Sequence, residues 1–144
     1  MSLVLDSSVA LKWYLPEILA EAASYLRKRI ESEFTPVAVP QFFFVEAANI
    51  LWKKTSLKRQ LSRNDAKGVY SRILDLPFRV IQNDDLLLQA LDLSISHSVS
   101  VYDGLYLACA LYSKSVLVTA DTALVSRLAA SQLSKHVVHL EKFA

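Results

Sequence analysis

Short aliphatic runs alternate along the chain with longer segments of helical period, the pattern of an α/β domain whose strands are joined through helices. The first run, Leu3-Val4-Leu5, is a predicted strand, and Ser7 or Ser8 then caps a short helix that continues to Trp13. After Pro16, residues 17–32 carry apolar side chains at Ile18, Ala22, Tyr25, Leu26 and Ile30, which is a helical spacing. Residues 37–39, bracketed by Pro36 and Pro40, form a second strand, followed by a mostly apolar helix over 41–54 and an amphipathic one over 62–74. Pro77 introduces a short third strand at 78–81, and helices are predicted over 84–96 and 101–113. A fourth strand at 116–118, a helix at 122–130 and a last, edge strand at 137–140 complete the pattern. One domain over residues 1–144 is expected, large enough to bury most of its apolar side chains.

Composition narrows the class. With 53% hydrophobic and 21% charged residues and a formal net charge of +2, the chain has the makeup of a compact globular protein and not of a disordered one. No basic stretch leads into an apolar signal core, and no apolar run approaches the ~20 residues that span a bilayer, so a cytoplasmic location without membrane association is expected. Cys109 is the sole cysteine, which rules out an internal disulfide, and the histidines are only His97, His136 and His139, so no zinc-type cluster is present. Within Leu107-Ala108-Cys109-Ala110-Leu111 the cysteine is a small buried hydrophobe. Gly68 and Gly104 are the only glycines, which excludes a Gly-rich phosphate loop.

Four carboxylates stand where an apolar element has no obvious use for charge. Asp6 ends the first strand, Glu46 lies in the helix after the second, Asp103 opens the helix before the fourth, and Asp121 follows the fourth. Local roles exist for three of them: Asp6 can bond to amides of the Ser7-Ser8 turn, Ser100 and Asp103 fit a capping box, and Asp121 can cap the next helix. Glu46 has no such role. Set among Phe42, Phe43 and Phe44, it carries a desolvation cost unless it is neutralised, paired or bound to a cation, although Asn49 and Lys53 continue a narrow polar stripe below it. In an open parallel sheet the carboxyl ends of the strands share one edge, so residues far apart in sequence can meet there. An all-oxygen donor set suits a hard divalent cation, whereas zinc would recruit His or Cys.

These residues carry a resemblance. Leu3-Val4-Leu5-Asp6-Ser7-Ser8-Val9, Phe44-Val45-Glu46-Ala47-Ala48-Asn49, Ser100-Val101-Tyr102-Asp103-Gly104-Leu105-Tyr106-Leu107-Ala108 and Leu117-Val118-Thr119-Ala120-Asp121 resemble, in order and spacing, the PIN domain family, in particular the VapC-type ribonuclease toxins of toxin-antitoxin pairs. The resemblance implies a central twisted parallel β-sheet flanked by helices, and a Mg²⁺- or Mn²⁺-dependent endoribonuclease with one or two ions. It implies Asp6 and Asp103 as direct ligands, Glu46 and Asp121 completing the site directly or through water, and Ser8 and Thr119 as hydroxyls that orient them. It also implies an RNA substrate, a homodimer and a cognate antitoxin protein, for which a mean hydropathy of +0.28 leaves apolar surface. Ser8 stands where many relatives carry Asn, and Thr122-Ala123-Leu124 lacks the charged and aromatic residues frequent there, differences that bear on substrate contacts more than on metal. Gly104, having no side chain, is expected to let substrate approach.

RNA needs a positive path to a negative site. Lys53, Lys54, Lys58, Arg59, Arg63, Lys67 and Arg72 are interrupted only by Asp65, and Lys12 with Arg27-Lys28-Arg29 extends such a path or decorates a helix. Lys12, Lys53, Lys54, Lys58, Arg59 and Arg63 are the RNA-binding candidates. Trp13, Tyr14 and Trp52 are core or subunit-interface aromatics before they are base-stacking ones. A haloacid-dehalogenase-like phosphatase would need a second acid in Asp6-Ser7-Ser8, and a receiver domain an acidic pair earlier than Asp84-Asp85. A housekeeping RNA-processing nuclease and a non-catalytic PIN-like RNA- or protein-binding module are the alternatives.

Overall fold

The computed structural model describes residues 1–143 and has the expected α/β organisation. Five strands, β1 (Leu3–Leu5), β2 (Val37–Pro40), β3 (Arg79–Ile81), β4 (Val116–Thr119) and β5 (Val137–His139), form a sheet in the order β3-β2-β1-β4-β5. Every neighbouring pair is parallel, with Leu3 opposite Val37 on one side and Val116 on the other. The helices are α1 (Ser7–Leu11), α2 (Ala20–Glu33), α3 (Phe42–Trp52), α4 (Arg63–Leu74), α5 (Asn83–His97), α6 (Val101–Tyr112) and α7 (Thr122–Leu128). They supply the long crossovers that parallel strands require.

The central strands are unbroken apolar runs because both faces of the sheet are covered: every residue of β1 and β2 is buried. Helix α6 is set deepest, with Gly104 to Ala110 all buried, which accounts for a run of seven residues without a charge. Cys109 lies in that run, and burial pushes its thiol up to about 12, so it packs as a hydrophobe and is no nucleophile. Among the described residues no helix is long and apolar enough to cross a membrane.

Most boundaries fall within two residues of the sequence pattern, α1 ending at Leu11 and α7 at Leu128, and two shift further for tertiary reasons. Helix α2 begins at Ala20 rather than Glu17 because Leu19 takes a left-handed backbone (φ 68°) and Glu17 is drawn aside by Lys12 at 3.5 Å and Lys54 at 3.7 Å. Helix α3 runs into a π-helical turn over Lys53–Leu57, and α4 then starts at Arg63, capped by Ser62, whose Oγ accepts from the Asp65 amide.

Gly104 corrects an expectation. It faces α5 and not open space: a Cβ there would lie 2.5 Å from Ser94 Oγ and 2.6 Å from the Ala90 carbonyl oxygen. Ser94 Oγ donates to that same carbonyl at 2.7 Å, so the obstacle is a bonded unit that includes backbone. Gly104 therefore serves the α5–α6 contact. Gly104→Ala is expected to destabilise by about 1–3 kcal/mol through overpacking, read as a lower denaturation midpoint at unchanged slope.

Candidate active site

The chain steps outward from β1 to β2 and β3, then returns to lay β4 and β5 on the other side of β1. Between β1 and β4 the direction of winding switches, and in such sheets ligands bind outside the carboxyl ends at that switch. Asp6 follows β1, and Thr119 closes β4 with Asp121 two residues beyond. Glu46 lies in the second turn of α3, which leaves the end of β2, and Asp103 lies in the first turn of α6, which runs back to the start of β4. Four elements thus bring four acids to one edge.

Two of the acids also cap a helix, and a third lies in a capped first turn. Asp6 caps α1, its Oδ1 accepting from Ser8 N at 2.9 Å and Ser8 Oγ at 3.0 Å. Asp121 caps α7, accepting from Leu124 N at 3.0 Å, while Ser100 caps α6 by accepting from Asp103 N at 3.1 Å. Capping fixes where each acid sits; it does not explain why all meet at one edge. Thr119, fully buried, ties two of them together by donating to Asp6 Oδ2 at 3.0 Å and accepting from Asp121 N at 3.1 Å. Ser8 and Thr119 therefore both orient Asp6.

Glu46 is held differently. Its Oε1 accepts from Ser7 Oγ and, at 2.8 Å, from the Tyr106 hydroxyl, which in turn accepts from Ser7 N at 3.3 Å. Neither Ser7 nor Tyr106 was singled out from the sequence. The available signal is that Tyr106 follows Asp103 by three residues, on the same face of α6. Tyr106→Phe would leave the Ser7 amide without its partner in a buried place, and a stability loss of about 1–3 kcal/mol is expected in thermal or urea unfolding.

The acids repel one another. Burial raises the Asp6 carboxyl, with the charge on Asp121 adding to it against the bonds from Ser8 and Thr119. Burial also raises Glu46, helped by the charges of Asp6 and Asp103, and raises Asp103, helped by Asp121 and Asp6. Tyr106 is held well above its usual range by burial and by the charges of Asp6 and Glu46, so it remains a donor. None of the four acids has a salt-bridge partner among the described residues. Among those residues, too, no three His, Cys, Asp or Glu side chains are arranged to enclose an ion as they stand, Asp121 being exposed and both Asp6 oxygens bonded. What the edge presents is a shared negative field and an oxygen-only donor set, which suit a hard divalent cation in chemistry and charge.

The basic candidates divide between two grooves. Lys12, Lys54 and Lys58 line one of about 760 Å³ with Glu17, to which Lys12 and Lys54 are paired. Arg63 borders an apolar groove between α3 and α4 with Leu51, Trp52 and Tyr70, a groove that contains none of the four acids. Lys53, Lys58, Arg59 and Arg63 are exposed. Arg27 lies over the Trp13 ring at 5.1 Å and pairs with Glu31, and Arg29 pairs with Glu33, so two of the three basic residues in this cluster are engaged within or beside α2. Trp13 Nε1 donates to Ala23 O at 2.9 Å, a packing role.

A five-stranded parallel sheet with carboxylates gathered at its switch point defines a class of α/β domains built around an acidic edge. The chain belongs to the PIN domain family, which it matches over residues 3–130. It is 30% identical over 133 residues to Ribonuclease VapC3 of Pyrobaculum aerophilum, covering 90% of this chain and 97% of that protein. Its fold is also similar to that of a toxin-antitoxin complex from Klebsiella pneumoniae (TM-score 0.63, 17% identity, 96% of this chain and 98% of that one). A third likeness is to FitAcB from Neisseria gonorrhoeae (TM-score 0.64, 16% identity, 96% of this chain and 98% of that one). At these identities the two structural likenesses speak to fold alone.

Proposed function

We propose that the protein is a divalent-cation-dependent endoribonuclease, acting as the toxin of a VapBC-type toxin-antitoxin pair. The observation that carries the chemistry is the gathering of Asp6, Glu46, Asp103 and Asp121 at one edge, with the carboxyls of the first three raised and no salt-bridge partner for any of the four among the described residues. Such a field repels RNA phosphates as strongly as it repels itself, so it is useful for cutting RNA only with added positive charge. When bound, one or two Mg²⁺ or Mn²⁺ ions would supply that charge and make an attacking water more acidic.

The remaining work falls to the chain. Asp6 and Asp103 are the direct holders of the cation, with Glu46 and Asp121 completing the set. Ser8 and Thr119 fix the Asp6 carboxylate from three bonds, so it is oriented before any ion arrives. Both bonds to Glu46 fall on Oε1, which leaves Oε2 free to hold the cation or a water bound to it. The RNA-directed cations are Lys12 and Lys54, released from Glu17 when phosphate competes for them, and the exposed Lys58, with Lys53, Arg59 and Arg63 flanking.

The toxin part rests on the relative named Ribonuclease VapC3 and on the toxin-antitoxin complex of like fold. Helix α5 exposes Leu87, Leu88, Leu91 and Ile95 along one side, a stripe suited to a second copy of the chain. A monomer by light scattering would remove the homodimer from this proposal. The test of the activity is cleavage of a panel of single-stranded and folded RNAs by the purified protein in Mg²⁺, in Mn²⁺ and in EDTA. Cutting in a metal and none in EDTA is expected; equal cutting in EDTA, or none anywhere, contradicts it.

A further inference from the structure

We propose that the stacked pair Phe42–Tyr102 is a platform for one unpaired base of the RNA, so that the protein selects single-stranded substrate; this rests on the ribonuclease reading above. The two rings lie nearly parallel, with centroids 5.0 Å apart and 10° between planes. Tyr102 is 62% exposed while Phe42 behind it is half-buried, so the stack is built from the core outward and ends on a ring facing solvent. It ends beside the acids. Tyr102 immediately precedes Asp103, Phe42 lies one turn before Glu46 on α3, and the Phe42 ring meets Tyr106 edge-on at 6.2 Å. The Tyr106 hydroxyl then donates to Glu46, so an unbroken line of contacts joins the exposed ring to the carboxylate edge.

The inner ring of the stack is held in advance. Phe42 N donates to Asn83 Oδ1 at 3.1 Å and Asn83 N donates to Gln41 Oε1 at 3.4 Å, which pins the first turn of α3 to the first turn of α5. Phe42 so held backs Tyr102 on one face, which leaves the outer face of the exposed ring for another ring to land on. The occupant that fits is a planar, polar-edged ring: the neighbouring Asp103 disfavours a broad apolar partner, and a nucleobase can lie on the tyrosine with its edges in water. Bases in a duplex have both faces covered already, so only an unpaired one can use it. Stacking of this kind tolerates any base, and the selection it makes is of strandedness rather than of sequence.

The test is fluorescence anisotropy of a labelled single-stranded RNA and of the same strand annealed to its full complement as a blunt duplex, titrated with full-length protein carrying Asp6→Asn to block cutting. Adding Tyr102→Leu is expected to weaken the single strand about 5- to 100-fold and the duplex less than about twofold, while Tyr102→Trp keeps the affinity and shows indole quenching on binding. Because Tyr102 is largely exposed, the melting temperature is expected to stay within about 2 °C in both variants. Equal affinity after Tyr102→Leu, equal loss for both RNAs, no RNA binding by either protein, or a change confined to oligomeric state each overturns the platform. Single strands bound in a Tyr102-dependent way but never cut by the unmodified protein would sink the nuclease reading and leave the platform standing; RNA cut and bound without regard to Tyr102 would do the reverse.

Discussion

Glu46→Gln is expected to lower RNA cleavage by about a thousandfold or more, the scale of several kcal/mol of lost transition-state stabilisation, while the protein folds as before. Gln keeps an oxygen that accepts from Ser7 Oγ and the Tyr106 hydroxyl, so the ring of bonds around this position survives. What it loses is the charge and the ability to take a proton. Single-turnover rates on an RNA that the unmodified protein cuts, with circular dichroism as a folding control, measure the effect. Asp6→Asn is expected to cost as much in rate but more in stability, because an amide NH₂ would face either Ser8 N or Thr119 Oγ1, both of which now donate to the carboxylate. Retention of more than a tenth of the activity by well-folded Glu46→Gln would remove it from the catalytic edge.

The second large effect concerns the protein without its cation. The folded state raises the carboxyls of Asp6, Glu46 and Asp103 above their unfolded values, chiefly by burial and then by mutual repulsion. Folded protein therefore binds more protons than unfolded protein in the window between the two sets of values, and stability from this source falls as pH rises through it. In EDTA the melting temperature is expected to be lower at pH 7.5 than near pH 5.5. Asp103→Asn, whose side chain accepts no bond that fixes the fold among the described residues, is expected to raise it by roughly 2–4 °C at pH 7.5. Added Mn²⁺ should stabilise the unmodified protein by about 2.7 kcal/mol at a hundred times its dissociation constant and Asp103→Asn far less. A melting temperature that climbs steadily from pH 5.5 to 7.5 in EDTA would mean that the acids do not repel one another as described.

Much of this site was legible because an acid inside an apolar run is conspicuous. Asp6 and Asp121 mark strand ends, Asp103 opens the most buried helix, and Glu46 sits among phenylalanines with no capping duty to explain it. Strand order and helix direction then do the gathering, and both follow from the crossovers that parallel strands require. The partners of those acids were harder to see. Ser7 lies 99 residues from Tyr106 and Tyr106 lies 60 from Glu46, so their ring of bonds exists only after the sheet and α6 have assembled. Gly104 was misjudged for the same reason: from the sequence it neighbours Asp103, but in the fold it meets Ala90 and Ser94 of α5. Glu17 was assigned to a helix until its pairing with two lysines, one of them 37 residues on, pulled it into the preceding loop. Local pattern marks elements and odd charges; it does not mark which hydroxyl will answer them.

The most direct measurement is a calorimetric titration of Mn²⁺ into metal-stripped protein at pH 7.5, run in parallel on Asp6→Asn and Asp103→Asn. Saturable binding of one or two ions by the unmodified chain, weakened at least tenfold in each variant, is the expected result if the four acids form one cation site. No saturable binding by folded, unmodified protein, or binding that both variants retain in full, would contradict it and reduce the acids to local roles such as the helix caps that Asp6 and Asp121 also provide.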